Sequence, residues 1–336
     1  MATESGPSAT ASLTRLRLPV VLVIATLFKA GLWLSGVAQL NADEAVVGLM
    51  ARHILQGERP TFFYGQAYLG SLDAWLVAGV FSVFGPSTLG IRLVQFGLYL
   101  ALIATTYWLA LRIYRSQWIA GAASLFLAIP TVLVALYTTV SLGGYGEVLV
   151  LGNLVLLLAL ALIPAPGAAP VPFYWRWALG WLLLGSLGGL GLWTSPLIVV
   201  YLLPVGVYGV ARFWRTPKTL ALVTPIILAG FAVGAAPWWT YTLAYGTLTI
   251  REGFGAAIQD SAGGFSLLVF IQHTLNFLLF GLTVYGASGL PGAPSFWPCY
   301  WRRMRWPFTW ASLSSRPGGR AKCAIRPAQG AGSWRA

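Results

Sequence analysis

The chain has 336 residues, 57% of them hydrophobic and only 9% charged, against roughly 25% charged in soluble domains. That composition excludes a soluble globular domain and describes an integral membrane protein. Its 21 Lys+Arg against 8 Asp+Glu give a formal net charge of +13, which would suit nucleic acid or anionic lipid as a partner but follows more simply from membrane topology. Cys299 and Cys323 match no metal spacing, so neither a zinc site nor a disulfide framework is implied.

A short cytoplasmic tail, 1–17, precedes the first apolar run, "RLRLPVVLVIATLFKAGLWLSGVAQ". Its order resembles a secretory signal, with Gly36 and Ala38 as a cleavage pair. The central Lys29 and the length of the run favour a retained helix. A lysine there costs about 2.5–3.5 kcal/mol on insertion scales, so Lys29 is predicted to face the bundle interior, paired with an acidic group or touching a lipid phosphate, structural pairing being preferred.

Next comes "NADEAVVGLMARHILQGERP". Asn41 followed three residues later by Glu44 predicts a capping box, and with it a helix over 42–56 closed by Gly57 and Pro60. Acidic residues in a first turn are favoured by the helix dipole, a sufficient structural reason for Asp43 and Glu44.

Further spans are predicted at 88–111, 118–137, 147–163, 177–193, 196–211, 219–239 and 265–287. Each reaches or approaches the roughly 20 residues that cross a bilayer as a helix, and no ten-residue alternation suggests a barrel. Segment 68–84, "YLGSLDAWLVAGVFSVF", is short and carries Gly70 and Asp73 in its first half. If it lies in the interface, Arg15, Arg17, Arg112, Arg115, Arg176, Arg212, Arg215, Lys218, Arg302, Arg303 and Arg305 all fall on one side, as the positive-inside rule requires. If it crosses, Arg15 and Arg17 stand alone. The expected architecture is therefore all-α and polytopic, with about eight transmembrane helices and two interfacial helices in the first outer loop, the N-terminus being cytoplasmic. Every acidic residue except Glu4 then lies on the outer side, namely Asp43, Glu44, Glu58, Asp73, Glu147, Glu252 and Asp260.

The Asp-Glu pair after the first span, the helix ending in "GERP" and the stretch "YGQAYLGSLDAWLVAGVFSVFGPSTLGIRL" together resemble the GT-C glycosyltransferases. Within that superfamily they are most similar to the protein mannosyltransferases and bacterial aminoarabinose transferases. The resemblance covers about 18–111, with weaker similarity in "GGYGEVLVLGNL" and "GLGLWTSPL" reaching to about 287. It implies a GT-C-like domain over 18–288 in the inner (plasma) membrane, with two juxtamembrane helices in the first outer loop. It also implies transfer of a sugar from a polyprenyl-phosphate donor, with inversion, to an acceptor lipid, glycan or protein. Because the leaving phosphate needs no strong acid, one carboxylate suffices. The resemblance gives the general-base role to Asp43, with Glu44 in support, since neighbours on a helix point about 100° apart.

Arg92, in "LGIRL", is placed to meet the donor phosphate, although an arginine there also snorkels to headgroups. Tyr145 and Glu147, in the glycine-rich turn "SLGGYGE", lie beside the expected cleft, where glycines let a backbone approach a ligand or simply connect helices. Arg52 completes the candidate substrate-binding set, although Arg52 and His53 read more simply as solvated. His273 reads as a hydrogen-bonded residue inside a span. Some GT-C branches use a divalent cation and others do not; the reading requires no metal or other cofactor, and no nucleic acid.

From residue 289 the composition changes to Trp, Arg, Pro, Ser and Gly without periodicity. Disordered tails are poor in aromatics, yet 289–336 contains Trp297, Trp301, Trp306, Trp310 and Trp334. A shifted reading frame or damaged gene is the preferred reading, which would leave the chain an incomplete, inactive form. A basic, aromatic membrane-surface segment is the other. Two rival functions stand beside glycosyl transfer, a transporter or flippase for a lipid-linked saccharide and a non-catalytic scaffold.

Overall fold

In a computed structural model, residues 17–36, 40–164 and 175–246 are described. The segments 265–287 and 289–336, together with Glu252, Asp260, His273, Cys299 and Cys323, lie outside them. The protein is a helical membrane protein. Among the described residues five helical segments are long and apolar enough to cross a bilayer, Thr88–Tyr114, Tyr145–Leu162, Trp175–Thr194, Pro196–Phe213 and Pro217–Gly234.

Helix α1 is Arg17–Leu34 and α2 is Ala42–Leu55. The capping box is present: Asn41 Oδ1 accepts from the Glu44 backbone N–H at 2.7 Å, and the Asn41 N–H donates to Glu44 Oε2 at 3.4 Å. After α2 the chain reverses at Gly57, whose φ of 100° an L side chain rarely adopts.

A hairpin follows that the all-helical expectation did not contain. Strands β1 (Phe62–Phe63) and β2 (Gln66–Gly70) pair antiparallel around Tyr64 and Gly65, so the first part of 68–84 is strand and the helix, α3, runs only over Leu72–Phe84. Ser71 Oγ donates to Pro60 O at 2.6 Å and Thr61 O at 3.2 Å, fastening the hairpin base. Val47, Met50 and Ala51 of α2, Phe63 and Leu69 of the hairpin, and Ala74, Val77 and Phe81 of α3 bury one another in a core closed by Ile91.

Thirteen residues of α3 rise about 20 Å, short of the roughly 30 Å hydrocarbon core. Its neighbours on α4 (Thr88–Tyr114) are Gln95, which donates to Asp73, and Gly90, against the Phe81 ring. Both lie in the first third of α4, so α3 stays at one end of the bundle.

The expected span 118–137 is broken into α5 (Gln117–Ala128) and α6 (Val132–Tyr137). Pro130 lacks an N–H and excludes helical geometry from the residue before it. Carbonyls freed by the break need partners in an apolar surrounding, and the Tyr99 hydroxyl of α4 contacts those of Leu127 and Ala128 at 2.9 and 3.0 Å. Lys29 meets the C-terminal end of α6, beyond the break. Its ammonium is fully buried and donates to Thr138 Oγ1 at 2.8 Å, Thr139 Oγ1 at 2.5 Å and Ala135 O at 3.4 Å. The expectation of an interior lysine holds; among the described residues its partners are hydroxyls, a carbonyl and an aromatic face, with no carboxylate.

Helices α7 (Tyr145–Leu162), α8 (Trp175–Thr194), α9 (Val199–Phe213, entered through a 3-10 turn at Pro196–Ile198), α10 (Pro217–Gly234) and α11 (Ala236–Tyr245) follow among the described residues. The expected span 219–239 ends early, because the chain turns at Ala235 and Pro237 restarts a helix. Gly185 and Gly189 of α8 face Gly230 and Gly234 of α10. A Cβ on any of the four would overlap the facing backbone, so the two helices touch main chain to main chain, as small-xxx-small pairs allow in membranes.

The hairpin marks one end of the bundle. Trp193 Nε1 donates to Thr61 O at 2.8 Å and the Tyr241 ring packs on Phe62 at 4.8 Å, so the end of α8 and α11 meet there. At the opposite end Arg212 Nε donates to Pro164 O at 2.9 Å, beyond the last turn of α7. Asp43, Glu44, Glu58, Asp73 and Glu147 belong to the hairpin end, and Arg112, Arg115, Arg176, Arg212, Arg215 and Lys218 to the other.

Candidate functional site

The site candidates lie at the hairpin end, where the start of α2 meets the starts of α4 and α7. The two adjacent carboxylates of α2 have different environments. Glu44 is fully buried. Besides capping α2 it accepts from Arg92, with Nε 3.3 Å from Oε1 and Nη2 3.4 Å from Oε2. Arg92 has a side chain only 14% exposed, so burial of the pair makes each partner depend on the other. Asp43, one position earlier and about a quarter-turn round the helix, is half-exposed and has no hydrogen bond or ion pair among the described residues.

The guanidinium of Arg92 is thus turned to Glu44 and not simply to headgroups, and its Nη1 makes no hydrogen bond among the described residues. Arg52 is not brought to Asp43. It sits nine residues along α2, about 13 Å along the axis, and is exposed. Its neighbour His53 joins a separate surface group, with Nδ1 2.9 Å from the Tyr64 hydroxyl, which donates to Glu58 at 3.0 Å.

Glu147 is buried on the first turn of α7, and both of its carboxyl oxygens lack a hydrogen-bond partner among the described residues. It faces Asp73 closely enough for the two carboxyls to share a hydrogen bond when one of them carries a proton. Asp73 is 1% exposed and accepts from Gln95 Nε2 at 3.0 Å and from Ser141 Oγ. Burial raises the Asp73 carboxyl above its ordinary range; the Ser141 and Gln95 hydrogen bonds oppose this, and the charge of Glu44 adds to it. Two adjacent buried carboxyls, with no cation facing them among the described residues, cannot both ionise cheaply.

Sequence reading singled out Glu147 and named Asp73 only as an outer acid; Ser141 and Gln95 escaped it. The one available signal was a lone polar residue inside an apolar stretch, "RLVQFGL".

The glycine turn before α7 has a packing role. Gly143 (φ 74°) lies against Phe63 and Leu69, and Gly144 (φ 81°) against the backbone of Thr194. A side chain at either position would meet protein, so these glycines admit the hairpin and the end of α8 and not a ligand. The turn aims Tyr145 toward the Tyr137 ring, 4.7 Å away, and the Asp43 carboxylate and Tyr68 lie within electrostatic reach of the Tyr145 hydroxyl. Asp43 and Tyr145 thus share one electrostatic neighbourhood, while Glu147 is buried beside Asp73.

Among the described residues no group of three or more His, Cys, Asp or Glu could hold a metal ion. Compared with models of known protein families, with curated proteins and with solved structures, the chain matches none.

Proposed function

We propose that this protein is a GT-C-type glycosyltransferase of the inner membrane, multi-pass with about eight spans and a cytoplasmic N-terminus. In this reading a sugar passes from a polyprenyl-phosphate donor to an acceptor lipid, glycan or protein on the outer face. The observation that carries the reading is the division of labour at the start of α2. Glu44 is committed to Arg92 and the helix cap, whereas Asp43 is the only carboxylate among the described residues that reaches solvent without a protein partner. A general base must be unpaired and accessible, and Asp43 is both among the described residues.

In the proposed step the acceptor hydroxyl or amine attacks the anomeric carbon from the face opposite the phosphate. The bond from that carbon to the phosphate oxygen breaks, polyprenyl phosphate leaves with the bonding pair, and Asp43 takes the acceptor proton. The lipid tail stays in the bilayer, since withdrawing it exposes a large apolar area to water, which suits a site at one end of a bundle. Arg92 would meet the phosphate through Nη1, held in place by Glu44.

A second reading, transport of a lipid-linked saccharide, draws on the buried Asp73 and Glu147, since acids inside a membrane bundle commonly mark a pathway. One experiment separates the two. Purified protein in liposomes is given radiolabelled polyprenyl-phosphate sugars, and sugar release is followed for the native chain and Asp43→Asn. Turnover that disappears in the variant supports the base; turnover equal in both removes Asp43 from the chemistry. Movement of intact donor between leaflets without release supports transport.

A further inference from the structure

Around Tyr145, at the start of α7, lie three half-buried residues from three other elements: Tyr137 of α6, whose ring it touches, and Asp43 of α2 and Tyr68 of β2, within electrostatic reach of its hydroxyl. The rings of Tyr137 and Tyr145 lie 4.7 Å apart and tilted by 31°, presenting a two-ring surface. Tyr68 packs against the core beneath the hairpin. Among the described tyrosines, the hydroxyl of Tyr99 meets two carbonyls and that of Tyr64 donates to Glu58. Those of Tyr68, Tyr137 and Tyr145 make no hydrogen bond among the described residues.

Aromatic faces beside unpaired hydroxyls and one free carboxylate match the two sides of a pyranose. The sugar's C–H face lies against an electron-rich ring face, and its hydroxyl rim meets phenol and carboxylate oxygens. Apolar walls with a few convergent polar groups are the usual form of a small-molecule site. We infer that Tyr68, Tyr137 and Tyr145 form a pyranoside subsite whose polar corner is Asp43. This deepens the glycosyltransferase reading and rests on it only for which sugar, donor or acceptor, is held there.

The test measures binding without turnover. Full-length protein in nanodiscs is titrated with methyl pyranosides and with citronellyl-phosphate-linked sugars, using saturation-transfer NMR and calorimetry. Saturable binding is expected, weakened at least tenfold in Tyr137→Leu/Tyr145→Leu and about threefold in Tyr137→Phe/Tyr145→Phe, which keeps the rings and serves where the leucine pair does not fold. Binding of the methyl glycosides marks an acceptor sugar, and binding only of the phosphate-linked probes marks the donor. No saturable binding by any probe, or equal affinity in native and tyrosine-variant protein, overturns the subsite. Binding that depends on the tyrosines while the liposome assay shows no turnover leaves the subsite standing and removes glycosyl transfer.

Discussion

The ammonium of Lys29 lies 4.3 Å from the centre of the Tyr99 ring, and the two residues serve opposite sides of one broken helix. Tyr99 meets the carbonyls that end α5, and Lys29 meets the end of α6. A proline break inside an apolar bundle is tolerable only when its orphaned backbone groups are satisfied by neighbours.

Tyr99→Phe is therefore expected to cost about 1–3 kcal/mol, the penalty for leaving buried carbonyls unpaired. Lys29→Met removes the other half of the same arrangement. Because the residues touch, the double variant should lose measurably less, or more, than the sum of the singles. Thermal unfolding of all four proteins in nanodiscs checks this; strict additivity would show that the two act separately.

Asp43 and Glu44 should separate by kind of effect. Glu44→Ala leaves Arg92 without its partner and removes one of the two capping-box bonds of α2, so a loss of about 2–4 kcal/mol is expected. Asp43→Asn touches no protein partner and should change stability by less than about 0.5 kcal/mol, while abolishing sugar transfer under the proposed mechanism. Chemical denaturation beside the liposome assay gives both readouts.

The main-chain contact of α8 with α10 allows no side chain between them. Gly230→Val is expected to separate the helices at a cost of about 3 kcal/mol or more, seen as a lower unfolding temperature and new protease sites near 214–217. Gly79→Val meets nothing within 4 Å and is the matched control on an open helix surface.

For Asp73 the sign follows from its raised carboxyl. The folded state holds the proton more tightly than the unfolded chain, so the stabilisation is complete below the ordinary carboxyl value of about 4 and falls as pH climbs from there to the raised value. Asp73→Asn keeps a neutral side chain at every pH. Native protein should lose stability between acidic and neutral pH, and the variant should show a flatter profile; identical profiles would place the sensitivity elsewhere.

Composition and periodicity determined much of this protein. A 9% charged fraction forces a membrane bundle, and the spacing of Asn41 and Glu44 fixes the start of α2, because both signals act within a few residues of chain. Basic residues at alternate helix ends likewise follow from local sequence. The hairpin was hidden inside an apolar segment, since a short strand and a buried helix share one composition. Pro130 was a visible breaker whose consequence, a split span served by Lys29 and Tyr99, required knowing which helices would pack beside it.

At the site the sequence marked the Asp-Glu pair without separating its members by environment. Tertiary packing decided that, by bringing Arg92, 48 positions away, against Glu44 and leaving Asp43 open. It also paired Asp73 with Glu147 and stacked Tyr137 on Tyr145. Long-range contacts of this kind depend on how helices cross, which local sequence does not encode, and burial then sets which carboxyl is paired within the protein and which is left open to solvent.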